Sequence, residues 1–474
     1  MKHYTILHIS DIHRGPHTDL NNLYESLVTD SLECEKNGIL KPSFIVVSGD
    51  IVEGAEGENA EQVVRQQYEE AAVFLNRLAD YFLQNDKSRL IIVPGNHDMF
   101  RGVSEASMIP YKLLAEDKPK VLRKNPMIRW SWKDLRFYKI AHEDIYAKRF
   151  DLFVEFYNAF YEGVRTISGN PETSSDVVDF ENYGISFVLF NSCYRLDHLR
   201  YSGEIYVNAV SGQASRLRQL SRDGRLIVGV WHHHTQGLPD EENYMDYRIL
   251  PSMVHNGMQV GLFGHQHFSQ IINHYTSVDE DKEMLLISSG SLYGGRNQLV
   301  SGCSRQYNII GVNIQGEKAT ITINVRTDRQ PDFDIPNWTT CPIGKNNLER
   351  YEHVIKVEQP SDDEQLLELV ETAQTTGDYE SALRKLHQQF RENPRYDKLV
   401  DTMLLKVNIP SDELIDILQH PHTESQAITV LAALEKCSDM YKVNAILHDS
   451  YIVNSDSSIV KEMRQRLISK FNIG

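Results

Sequence analysis

Five short groups of polar residues in this sequence have the side chains to bind divalent cations or move protons. They are Asp11 and His13 in DIH, Asp50 in GD, Asn96, His97 and Asp98 in GNHD, the run His232-His233-His234, and His265 with His267 in GHQH. Brought together, carboxylates, imidazoles and one amide make a mixed oxygen and nitrogen donor set. Such a set suits manganese, iron or zinc, whereas magnesium and calcium favour oxygen alone. A pair of cations about 3.5–4 Å apart would need a bridging carboxylate, terminal nitrogen and oxygen ligands, and positions left open for substrate. Each group follows an apolar run: YTILHIS, FIVVS, LIIVP, LIVGVW and VGLF in turn. Runs of this length bounded by Gly and Pro read as buried strands of an α/β sheet, and open sheets of that kind place ligands at their carboxyl ends. The five groups are therefore expected to converge.

In this order the motifs resemble the calcineurin-like metallophosphoesterase superfamily, over roughly residues 1–326. The resemblance implies an α/β fold, a two-sheet sandwich-like core flanked by helices, and a dinuclear metal centre. It implies Asp50 as the bridge, Asp11, His13 and His267 on one metal, and Asn96, His232 and His265 on the other. Strand alternation sends His232 and His234 one way and His233 the other, so either of the first two could be the ligand. The family register selects His232, with His234 as the alternative. Manganese is the first expectation for both metals, with iron or zinc behind it. The implied chemistry is in-line attack on phosphorus by a hydroxide held between the metals, with His97 protonating the leaving oxygen and Asp98 orienting His97. Arg14 could meet a phosphate oxygen bidentately or simply be ion-paired. His17, Glu53, His198 and Tyr293 are weaker neighbours of the motifs, and Ser289–Arg296 resembles the loop that borders the family's cleft.

The elements that must hold these groups are also legible. Val64, Tyr68, Ala71, Leu75, Leu78 and Phe82 mark one face of a crossover helix over 61–83. After His267 come short β-like pieces, which predict a second sheet and a catalytic domain spanning 1–326. Residues 101–180 form an aromatic-rich insertion, either a lid or helix core; Phe150, Phe153, Val154, Tyr157 and Tyr161 have helical spacing. Residues 327–362, with four prolines, read as a partly packed linker. Residues 363–474 read as a separate α-helical domain of six or seven short helices. Within it, GDYESALRKLHQQFRENP resembles half a tetratricopeptide repeat, which makes a repeat-like interaction module one expectation and a plain helical bundle the other.

Bulk properties narrow the function. The 474 residues are 41% hydrophobic and 24% charged, as in an ordinary soluble protein, and no apolar run is long enough to span a bilayer. Five scattered cysteines without a CxxC pair suit a reducing, cytoplasmic setting and argue against a thiolate zinc site. A net charge of −17 disfavours nucleic-acid binding by the surface at large. The leading expectation is a phosphodiesterase acting on a nucleotide or other small diester. A DNA or RNA nuclease of the repair type is the alternative, because residues 118–139 are basic and interleaved with aromatics. A catalytically silent scaffold is the third, with protein partners docking on the C-terminal helices.

Overall fold

Strand β1 (Lys2–Ile9) buries six residues in succession, because both of its faces are covered. It pairs in parallel with β2 (Phe44–Val47), which pairs in parallel with β3 (Leu90–Ile92). Parallel neighbours need long crossovers, and two helices supply them: α1 (Leu20–Lys36) and α2 (Ala60–Leu83). The Asp19 carboxylate caps α1 by accepting from the backbone N–H groups of Asn21 and Asn22. The stripe expected on α2 is buried against the outer face of this sheet, where Leu7, Ile9, Ile45 and Val47 meet Val64, Tyr68, Leu75 and Leu78. The computed structural model describes all residues except 1, 15–18, 114–125, 236–243, 276–281, 294–298, 300, 301, 331–334, 359–361, 408 and 474.

The insertion contributes β4 (Met108–Tyr111), β5 (Ile128–Ser131) and β6 (Arg136–Ile140), a small antiparallel sheet in the order β4-β6-β5. Helix Asp151–Tyr161 then packs Phe153, Phe156, Tyr157 and Phe160 into the core that holds α2. Its aromatic spacing thus serves the core. Part of the basic stretch, 118–125, lies outside the described residues. The end of the 101–180 segment belongs to the main fold: β7 (Ser175–Phe180) pairs antiparallel with β8 (Ile185–Phe190).

The second sheet runs β11-β12-β10-β9-β8-β7, with β9 (Leu226–Val230), β10 (Val260–Phe263), β11 (Gln270–Tyr275) and β12 (Glu283–Ser288). Strands β8, β9, β10 and β12 are parallel. The chain returns to the first sheet through β13 (Gln306–Gln315) and β14 (Lys318–Asp328), both antiparallel. Tyr4, Ile6, Phe44, Val46 and Ile310 from one sheet pack against Phe187, Val228 and Leu262 from the other, which makes the core a two-sheet sandwich.

Residues 327–362 differ from the expected linker. They hold β15 (Trp338–Thr340) and β16 (Tyr351–Lys356), which both pair with β14. An uncovered β14 would expose a row of backbone donors and acceptors, and these strands satisfy them. The division into units falls accordingly at Gln359/Pro360 instead of near Arg326. Pro360–Gly474 is a unit of its own, with eight helices and no strand among the described residues. Its core gathers Leu383, Leu386, Val400, Val430, Leu434 and Val443. The half-repeat segment forms helix Tyr379–Gln389, with Ala382 buried. No helix among the described residues is long and apolar enough to cross a membrane.

Candidate metal centre

Every motif emerges just beyond the carboxyl end of a parallel strand: Asp11 and His13 after β1, Asp50 after β2, Asn96 and His97 after β3, His232 after β9, His265 and His267 after β10. These strands come from both sheets, so the donors meet where the sandwich opens. Their ligand atoms form overlapping triads, Asp11-His13-His267, His13-Asp50-His97 and Asp50-His232-His265, each within 4.8 Å. His13 links the first triad to the second, and Asp50 links the second to the third. Asp50 Oδ2 lies 3.2 Å from His232 Nε2 and 3.9 Å from His13 Nε2, and its Oδ1 accepts the backbone N–H of His97 at 2.8 Å.

The spacings test whether a cation fits. With metal–ligand bonds of about 2.1 Å, neighbouring donors stand about 3.0–3.4 Å apart in octahedral or tetrahedral geometry. On one side, His267 Nε2 is 3.2 Å from both Asp11 Oδ1 and His13 Nε2. On the other, His232 Nε2 is 3.0 Å from Asn96 Oδ1, 3.1 Å from His265 Nδ1 and 3.2 Å from Asp50 Oδ2. Imidazole nitrogens turned toward one another at these distances match the edges of two coordination shells. The donor set fits two divalent cations. Asp11, His13, Asp50 and His232 are buried, whereas Asn96, His97, His265 and His267 are partly exposed, so the cluster faces an opening.

The surroundings fix each donor. The Ser48 carbonyl, which can only accept, lies 2.7 Å from His232 Nδ1. That nitrogen therefore carries the hydrogen and leaves Nε2 as the ligand atom. Ser192 Oγ accepts the backbone N–H groups of both His232 and His233 at 3.1 Å. Asp11, His13, Asp50, His265 and His267 all have φ between +46° and +78°, the left-handed region that non-glycine residues avoid. Two glycines let the loops interlock: a Cβ on Gly95 would lie 2.1 Å from Asp50 Oδ1, and one on Gly264 would lie 1.8 Å from Ser10 Oγ.

Electrostatics follows from burial and the shared charge. Burial opposes ionisation of Asp50, yet the charges of His232 and His97 hold its carboxyl below the usual range. Burial likewise opposes charging of His232, but the Asp50 charge and hydrogen bond prevail and raise it to about 9. Burial lowers His265 to about 3, and lowers His13 as well.

Some expectations fall elsewhere in the structure. Asp98 does not reach the His97 ring; its carboxylate accepts from the Gly95 N–H at 2.8 Å and the Tyr68 hydroxyl at 3.0 Å. The acceptor for His97 Nδ1 is the Glu53 carbonyl at 2.8 Å. A tight turn places the Asp98 side chain beneath the loop, where burial and the Asp50 charge raise its pKa to about 7. Arg14 is ion-paired with Glu70. His233 is fully buried with Nδ1 2.9 Å from Ser192 Oγ, and His234 packs against Phe263; neither joins a triad. His17 and residues 294–296 lie outside the described residues, while Ser291 Oγ donates to the Asp11 carbonyl at 2.9 Å. Sequence reading missed Ser48, Ser192 and Tyr68. The signal for the two serines is a polar residue at the buried end of an apolar run; Tyr68 sits unmarked within the stripe of α2.

Two facing sheets that gather a dinuclear donor set at their strand ends define a metal-dependent hydrolase. The chain belongs to the calcineurin-like phosphoesterase family, whose model matches residues 4–269, and the family makes it a phosphoester hydrolase. Solved structures that match include GAP50, described as the anchor in the inner membrane complex of Plasmodium, at 11% identity and a TM-score of 0.34, covering 76% of this chain and 91% of that one. Another is Vps29 of Chaetomium thermophilum, at 10% identity and a TM-score of 0.28, covering 75% and 99%. No curated protein matches the chain.

Proposed function

We propose that the chain hydrolyses phosphodiester bonds of a nucleotide or other small diester, with two manganese ions held by the residues above. Asp50 would be held in common, with Asp11, His13 and His267 at one ion and Asn96, His232 and His265 at the other. When bound, the metals supply charge that activates water and offsets negative charge developing on the phosphoryl oxygens. The observation that carries the reading is the set of overlapping donor triads, with Asp50 Oδ2 lying between His232 Nε2 at 3.2 Å and His13 Nε2 at 3.9 Å. His97 acts on the leaving oxygen. Its Nδ1–H is committed to the Glu53 carbonyl, so Nε2 is the atom that delivers a proton. Asp98 positions the loop carrying His97 through the Gly95 amide and the Tyr68 hydroxyl.

A small substrate is favoured by the cleft beside His97. It measures about 370 Å3, and Glu53, Glu56 and Asp197 line it, which suits one small ligand better than a polyanion. One observation supports the nuclease alternative: the β5–β6 turn leaves Trp132 74% exposed next to Lys133, a stacking and charge pair that single strands could use. The C-terminal helices remain our candidate for binding a protein partner.

Chelation followed by manganese readdition tests the reading, with bis(p-nitrophenyl) phosphate, cyclic nucleotides, dinucleotides, DNA and RNA as substrates. Activity should vanish, return with the metal, and be greatest on small diesters. Full activity after exhaustive chelation would refute the two-metal reading. Preference for DNA or RNA would establish the nuclease, and cleavage of nothing by metal-loaded protein would revive the scaffold.

A further inference from the structure

The cleft beside His97 is built unlike a second phosphate site. Met99, Phe100 and Leu196 give it apolar walls, and Tyr201 stands at its edge, 46% exposed. Its one guanidinium, on Arg101, is already paired with Glu105 at 2.7 Å and with Glu56. The Asp197 carboxylate is likewise engaged, by Arg129 at 2.7 Å and the Tyr146 hydroxyl at 2.9 Å. A ligand group here meets apolar surface and no uncommitted cation, so a neutral planar group fits better than an anion.

His198 supplies the polar contact. Buried Ser104 accepts the His198 backbone N–H at 3.4 Å, and the same hydroxyl oxygen lies 2.8 Å from His198 Nδ1. The buried Ser104 hydroxyl has no other acceptor among the described residues, so its hydrogen is satisfied by pointing at Nδ1. Nε2 then carries the ring hydrogen. Among the described residues Nε2 has no hydrogen-bond partner and is not sealed from solvent. Burial lowers the pKa of the imidazole, so the ring is neutral at pH 7 and donates through Nε2. The Tyr201 hydroxyl donates to the His198 carbonyl at 2.7 Å, which holds the loop from its other side.

We propose that this cleft is a nucleobase subsite, in which His198 Nε2–H donates to a ring nitrogen or carbonyl oxygen of the base while the phosphoryl group occupies the metal centre. The inference rests on the phosphodiesterase reading and names its substrate class as a nucleoside diester. His198 is a specificity residue in this scheme.

The test compares kcat/KM of the manganese-loaded full chain for the p-nitrophenyl ester of thymidine 5′-monophosphate and for methyl p-nitrophenyl phosphate, which shares the leaving group and lacks the nucleoside. The wild type should prefer the nucleoside ester. His198→Phe, which fills the space without a donor, should reduce that preference by about tenfold, the scale of one lost hydrogen bond, chiefly through KM. His198→Gln, which restores an N–H donor, should recover part of it. An unchanged preference in His198→Phe, or equal loss on both esters, overturns the subsite. If the metal-loaded wild type cleaves neither ester, the phosphodiesterase reading fails, and binding decides the subsite separately. Thymidine 5′-monophosphate should then bind about tenfold more tightly than ribose 5-phosphate, with the difference lost in His198→Phe; equal affinities overturn it.

Discussion

The two units of this chain use polar side chains in opposite ways. In Pro360–Gly474 five of them cap helices: Asp378, Thr423, Asp439, Asp449 and Ser457 each accept a backbone N–H at a helix start. The left-handed residues described there, Gly377 and Asn472, follow helix ends, where such conformations are ordinary. In Met1–Gln359, by contrast, five left-handed positions are acidic or histidine residues crowded into one place. Asp and His tolerate that conformation better than most side chains, yet it remains costly, and none of the five, Asp11, His13, Asp50, His265 and His267, follows a helix end. The surrounding sheets impose it, and the gain is convergence of donor atoms. Local rules explain one unit; the other departs from them where a ligand is expected.

The sharpest break of that contrast is at Asp50. Asp50→Ala removes the carboxylate placed between the two proposed metal sites and should lower phosphodiesterase activity by about a thousandfold or more. Metal analysis should then find fewer than two ions per chain. Retention of two ions with full activity would show that the convergence serves packing. His97→Ala should be milder and different in kind: kcat falls by about a hundredfold or more while two ions remain bound. A drop in metal stoichiometry instead would move His97 into the donor set.

The contrast also explains what could be read from sequence. The donors were legible because each stands immediately after an apolar strand, and a strand end is a fixed point in space. The stripe of α2 was legible for the same kind of reason: periodicity is a local property. Strands β15 and β16 were not, since short edge strands among prolines have no alternation strong enough to stand out, and their reason for existing is the distant β14. Asp98 was misread because adjacency in GNHD does not imply contact between side chains; the turn sends His97 and Asp98 to different partners. Ser48 and Ser192 act through hydrogen bonds that only the assembled sandwich creates.

A third prediction concerns pH. In the metal-free protein His232 holds its proton up to about 9, above its ordinary value, because the Asp50 charge outweighs burial. The metal requires the neutral ring, so proton and metal compete at neutral pH. Metal affinity should therefore rise by about tenfold per pH unit between pH 7 and 8.5 and level off above 9. Titrations in weakly buffered solution should show proton release on metal uptake. A flat profile would mean that the proton held at His232 is not displaced.

The smallest effect is expected in the helical unit, and it tests the other half of the contrast. Asp439 accepts the N–H groups of Tyr441 and Lys442 at 2.9 and 3.3 Å, capping helix Met440–Leu447. Asp439→Ala leaves those donors to water and should destabilise the unit by about 1 kcal/mol, read as a lower denaturation midpoint with unchanged slope. Hydrolysis of small diesters should not change, because no described residue of this unit contributes to the donor triads. Lost activity with an unchanged midpoint would give this carboxylate a role in the reaction, and the division between helix-capping and ligand-holding polar residues would no longer follow the boundary between the units.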